Sequence, residues 1–212
     1  PSMSPAVLLA AAAVVAVVDW VAVAIDNRKV EYVAKPLTMV ALLGYAIALD
    51  PVVEGSRWWF VAALVFSLGG DVFLMLPGNR FVEGLASFLV GHLAYIGGMV
   101  AWGLDIVPAW FALVLLLFGL IATIGGAIVQ AAGEQDRRLR LPVGLYITVI
   151  TIMVLVAGAT AHWWFLVGAL LFYVSDATIG ITRFVRDFAY SRVGVMVTYH
   201  LAQFLLVFGL TR

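Results

Sequence analysis

Along most of this chain polar residues are so sparse that long apolar runs set the pattern, in place of the single apolar stripe of a helix half exposed to water. A helix needs about 20 mostly apolar residues to cross the roughly 30 Å hydrocarbon core of a bilayer. Eight runs meet that need, near residues 5–25, 35–49, 58–76, 84–103, 108–130, 141–160, 163–181 and 193–211. The second is the shortest, with Pro36 read as part of its first turn and Asp50-Pro51 as its end. The loops between runs are short, so residues 1–212 read as one membrane domain. Pro1-Ser2 look like a protease-cleavage scar ahead of Met3, and no basic stretch precedes the first run as it would in a cleaved signal peptide. The expected fold is all-α, a polytopic membrane bundle of eight transmembrane helices.

Composition sharpens this picture. Hydrophobic residues make up 65% and charged residues only 11% of the 212 positions, against about a quarter charged in soluble domains. A formal net charge of zero argues against a nucleic-acid partner. The absence of cysteine excludes disulfides and thiolate metal sites. Only the distribution of charge is left to inform. Loops after odd-numbered helices hold Arg28, Lys29 and Lys35, then Arg80, then Arg137, Arg138 and Arg140, then Arg183, Arg186 and Arg192, while the other side has Arg57 and Arg212. By the positive-inside rule the odd loops are cytoplasmic and both termini lie outside; in a bacterium this is the cytoplasmic membrane.

Against that background the intramembrane polar residues stand out, because an ionisable group at membrane depth is costly and marks function by default. At a 1.5 Å rise per residue, Asp71 and Asp176 come out roughly 7 to 8 Å below the inner surface, at a common level. Asp19 comes out at about 9 Å, and His92 and His200 at about 10 to 12 Å. A single intramembrane Asp or His is often a structural group hydrogen-bonded between helices, and for Asp19 alone the two readings weigh equally. Five such groups on five helices at one depth instead imply a shared site. His162, in an outer loop, reads as a solvated interfacial residue.

The two halves also echo each other. "GDVFLM" in helix three and "SDATIG" in helix seven hold corresponding places, and each aspartate is followed by a "HLA", at His92 and at His200. Two parallel four-helix repeats would produce this, although Leu and Ala are common enough here for chance to do the same. Helical spacing aligns Asp176, Gly180 and Arg183 on one face and sets Tyr95 and Gln203 three residues beyond His92 and His200. Lys35 and Arg183 read either as binders of an anionic headgroup or as ordinary interfacial anchors. Gly69 and Gly70 read as close helix packing.

Taken together these residues resemble the lysoplasmalogenase family of integral membrane proteins, the YhhN-like group. The matching pieces are Lys35-Pro36-Leu37, Gly70-Asp71, the F-x-x-G-x-x-x-F-x-x-x-H-x-x-Y pattern from Phe81 to Tyr95, "YVSD" from Tyr173 to Asp176 including Ser175, and "YHLAQ" from Tyr199 to Gln203. Helices five and six carry no motif. The resemblance implies hydrolysis of the sn-1 vinyl ether of a lysoplasmalogen to a fatty aldehyde and glycerophosphoethanolamine or glycerophosphocholine, with Asp71 and Asp176 as the catalytic pair and a lysophospholipid as the partner molecule.

The residues suit that chemistry. A vinyl ether yields to acid, because protonating its β-carbon makes an oxocarbenium ion that water attacks; two carboxylates in a low-dielectric site can supply both acid and anion, as in glycosidases. Which aspartate is the acid stays open, as does the oligomeric state. His92, His200, Asp19, Tyr95, Tyr199, Gln203 and Ser175 are the supporting polar groups. No cofactor or metal is expected. Two rivals compete: a zinc hydrolase built from His92, His200 and an aspartate, and a proton-coupled transporter using the same groups as a relay. A third, purely structural, reading makes the cluster a packing device.

Overall fold

The computed structural model describes residues 4–212, with the side chains of residues 108, 109, 111, 114 and 116 excepted. The cleavage scar expected at Pro1-Ser2 therefore lies outside the described residues. Eight helices follow in order: α1 (Pro5–Ala24), α2 (Arg28–Ala48), α3 (Glu54–Met75), α4 (Phe81–Trp102), α5 (Pro108–Gln135), α6 (Arg140–Ala159), α7 (Trp163–Phe184) and α8 (Ser191–Gly209). All eight are long and apolar enough to cross a membrane, the qualifying part of α5 being Leu117–Gln135. The loops after α1, α3, α5 and α7 define one end of the bundle, here the odd end.

The second helix departs from expectation. It is not the shortest: it has 21 residues and starts at Arg28, so Pro36 and Lys35 lie about two turns inside it. The early residues are charged and fall outside any apolar run, but Asn27 caps them, its side chain accepting from the Val30 amide at 3.3 Å. Pro36 removes one amide from the ladder, leaving the Tyr32 carbonyl without that partner. Helix α7 likewise runs past residue 181 to Phe184, which puts Asp176 about two turns from its end. Asp71, only one turn from Met75, is nearer its own helix end, and the equal depth expected for the two rested on a boundary that was too short.

The most extensive helix pairs are the hairpins α3 with α4, α7 with α8, and α1 with α2. Helix α6 packs on α4, α5 and α7, while α8 reaches α1 and only lightly touches α2. Small residues allow the closest approach. A Cβ on Gly91 would stand 3.2 Å from the Ala63 carbonyl oxygen, and one on Gly70 would overlap the Phe88 ring. With little hydrophobic drive between helices in lipid, such backbone proximity is what lets dispersion hold α3 to α4. It also fixes the height of Asp71, the neighbour of Gly70.

Candidate active site

Two carboxylates anchor separate buried centres. Asp71, wholly inaccessible, faces α2 and α8: Lys35 Nζ is 2.9 Å from its Oδ1, and the Tyr199 hydroxyl donates to its Oδ2 at 2.7 Å. The ammonium of Lys35 is itself buried, 5.8 Å from the Tyr199 ring centroid. Lys35 is thus an internal counter-ion and not a residue at the helix start. An aspartate and a lysine in this position stabilise each other mainly because either alone would be an uncompensated charge.

Asp176 faces α6 and α4. The Tyr146 hydroxyl donates to Oδ2 at 2.5 Å, and His92 Nε2 is 3.2 Å from the same oxygen and 2.9 Å from the tyrosine oxygen. With the Tyr146 proton directed at the carboxylate, this network assigns the proton of His92 to Nε2. Its Nδ1 is buried and unpartnered. Among the described residues no hydrogen bond reaches Asp176 Oδ1. The side chain keeps 7% exposure, and it borders a cavity of about 40 Å³ whose other walls include Leu74, Leu85, Phe88, Ile128 and Tyr146. That space is large enough for one water, and its walls apart from Asp176 and the Tyr146 hydroxyl are apolar.

The expected meeting of the two aspartates across one wet pocket is not what these contacts build. Asp71 does not line the cavity of Asp176, and among the described residues no hydrogen bond joins the centres. Aromatic rings lie between their partners: Phe172 packs edge-on against both His92, at 4.6 Å, and Tyr199, at 5.5 Å, and Phe88 meets Tyr199 at 5.9 Å.

The supporting residues divide the same way. Tyr95 donates to Gln203 Oε1 in a pair of its own, deeper in the bundle. His200 accepts from Trp20 Nε1 at 3.0 Å through Nδ1, so α1 holds it and not an aspartate. Ser175 donates to the Val195 carbonyl at 3.2 Å, tying α7 to α8. Asp19 is buried with neither oxygen bonded among the described residues. Arg183 donates to Asn79 Oδ1 at 2.7 Å and stacks 4.0 Å above Phe81, which is one wall of the Asp176 cavity. His162 is not simply solvated: its ring stacks on Phe165 at 4.3 Å.

Tyr146 is the residue that sequence reasoning missed. It sits in α6, where no motif drew attention, yet it lies about 9 Å in from Arg140 and so at the depth of the other polar groups. The zinc reading lacks a ligand set: among the described residues no three His, Asp or Glu side chains converge within reach of one ion.

Fold and site together define an integral membrane protein, an eight-span helical bundle with a buried polar centre near one end. Residues 30–210 match the YhhN family, and the chain belongs to it. A Mycobacterium bovis protein named lysoplasmalogenase is 30% identical over 176 residues, spanning 81% of this chain and 67% of that relative. Human lysoplasmalogenase TMEM86B is 29% identical over 181 residues, 84% of this chain and 74% of its own length. An Escherichia coli O6:H1 protein named uncharacterized membrane protein YhhN is 27% identical over 188 residues, 83% of this chain and 85% of its own. No solved structure matches the chain.

Proposed function

We propose that this protein is a lysoplasmalogenase, a hydrolase of the sn-1 vinyl ether of lysoplasmalogens, working near the cytoplasmic surface with both termini outside. The observation that carries the mechanism is Asp176: one oxygen is held by Tyr146 and His92, the other is unbonded among the described residues, and the side chain borders a small, mostly apolar cavity. Names of relatives support the substrate class, and the basic residues at the odd end support the sidedness.

In this reading Asp176 is the acid. Its carboxyl delivers a proton to the β-carbon of the vinyl ether, and the bonding electrons of the double bond take it up, leaving an oxocarbenium ion. Water adds to the α-carbon and returns a proton to Asp176. The hemiacetal collapses to a fatty aldehyde and the free glycerol hydroxyl. Tyr146 and His92 fix the carboxyl orientation, the contribution that converts a chance encounter into a near-attack geometry. Asp71 has no access to the cavity, so its part is electrostatic and architectural: it places Lys35 and Tyr199. Because the cavity is water-sized, the alkenyl chain enters by displacing its apolar side chains.

The test is incubation of purified protein in detergent or liposomes with a lysoplasmalogen and with its saturated-ether analogue, followed by assay of free aldehyde. Release from the vinyl ether alone supports the reading. Cleavage of both contradicts acid-driven chemistry, and liposome uptake with no aldehyde would point to transport.

A further inference from the structure

A second cavity, of about 180 Å³, opens at the odd end between α1, α2, α3, α7 and α8. Its polar lining is Glu31, Lys35, Thr182, Ser191 and Arg192, and its remaining walls are aliphatic. Two of those charges are deeply buried, Lys35 at 5% and Glu31 at 9% exposure. Leu74 and Ile179 line both this space and the cavity of Asp176, so these side chains are shared walls of the two.

The charges leave specific atoms free. An ammonium has three donors, and the one acceptor within salt-bridge distance of Lys35 Nζ among the described residues is Asp71 Oδ1. Arg192 directs Nη1 to Asp26 and Nη2 to Glu31 Oε2, each at 2.7 Å, and keeps further donors. The weaker approach of Arg28, at 3.6 Å, is to the same Oε2. Among the described residues no bond reaches Glu31 Oε1. The cavity therefore offers spare cationic donors and one spare anionic acceptor a short distance apart.

We propose that this cavity binds the phosphoethanolamine headgroup of the lysolipid, and that Glu31 makes the enzyme prefer ethanolamine over choline. The phosphate takes the unused donors of Lys35 and Arg192. The primary ammonium, two carbons away, donates to Glu31 Oε1 and to the hydroxyl oxygens of Ser191 and Thr182, which already donate elsewhere and are left as acceptors. A trimethylammonium has no N–H to give and is recognised by aromatic cages; these walls are aliphatic. The glycerol then crosses the Leu74–Ile179 wall, which brings the sn-1 linkage to Asp176. The inference rests on the lysolipid reading above and adds headgroup selection to it.

Two measurements test it. In the first, kcat/KM is compared for lysoplasmenylethanolamine and lysoplasmenylcholine of one chain length, in the native protein and in Glu31→Gln. The native protein is expected to favour ethanolamine at least tenfold. Glu31→Gln is expected to raise KM for the ethanolamine substrate alone and bring the ratio near one. Equal use of both headgroups by the native protein, or an unchanged ratio in the variant, overturns the proposal. The second needs no turnover and no variant: the thermal midpoint of the native protein is followed with glycerophosphoethanolamine, glycerophosphocholine or inorganic phosphate. The largest stabilisation is expected from the first, by the linkage of ligand binding to folding. An equal shift with inorganic phosphate would mean a plain anion site and overturn the headgroup assignment, as would no shift with any of the three. Failure of the lysolipid reading shows separately, as no aldehyde from either substrate.

Discussion

Asp71 and Asp176 each receive one partner from the helix before their own and one from the last helix of the opposite half. For Asp71 these are Lys35 on α2 and Tyr199 on α8; for Asp176, Tyr146 on α6 and His92 on α4. Under a parallel-repeat reading α2 corresponds to α6, α3 to α7 and α4 to α8, so the partners occupy equivalent helices. The packing departs from that symmetry, since α4 lies firmly against α6 while α8 only touches α2. The chemistry departs from it too. One aspartate is closed off by an ammonium; the other has only a phenol and an imidazole and keeps an oxygen at a cavity. The difference shows how one geometry serves two ends: a buried charge paired with its opposite builds structure, and a carboxyl with no counter-ion, beside open space, is available for chemistry.

The largest expected effect separates them by stability. Lys35→Met strands the Asp71 charge and should cost about 3–5 kcal/mol, read as a fall in thermal midpoint and monodisperse yield, while adding Asp71→Asn should recover most of it. If Lys35→Met keeps the native midpoint, the two centres do not differ in the way described. Next comes Asp176→Asn, which should leave a folded protein with aldehyde release down about a hundredfold or more, the scale of lost acid–base catalysis. Near-normal turnover would remove Asp176 as the acid.

A smaller effect sharpens the Asp176 side. Tyr146→Phe deletes one donor to the carboxylate that proton transfer leaves and should lower kcat by roughly ten- to a hundredfold, with KM nearly unchanged, since a hydrogen bond to a charged group contributes roughly 1.5–3 kcal/mol. Loss confined to KM would mean the phenol binds substrate instead. Smallest is Trp20→Phe, which removes the donor to His200. It should cost about 1 kcal/mol of stability and leave kcat/KM unchanged; a loss of turnover would bring His200 back into the catalytic group.

Much of the site was visible in the chain because polar groups are conspicuous among apolar runs. Asp71, Asp176, His92 and Tyr199 were all singled out, and the structure brings them to two adjoining centres. Tyr146 escaped because a phenol in an apolar helix looks like packing; only its depth could have flagged it. Lys35 was placed at a helix start because charged residues before it were excluded from the apolar run, whereas a cap at Asn27 extends the helix around them.

What the sequence determined alone is the number of spans and the few polar residues among them, since bilayer thickness and the cost of charge in hydrocarbon act on each segment separately. Which polar group meets which was decided only in three dimensions. Helix rotation and approach, set by contacts such as Gly70 on Phe88 and Gly91 on Ala63, place Lys35 on Asp71 and leave Asp176 its cavity. Those are relations between helices far apart in the chain, and no single segment encodes them.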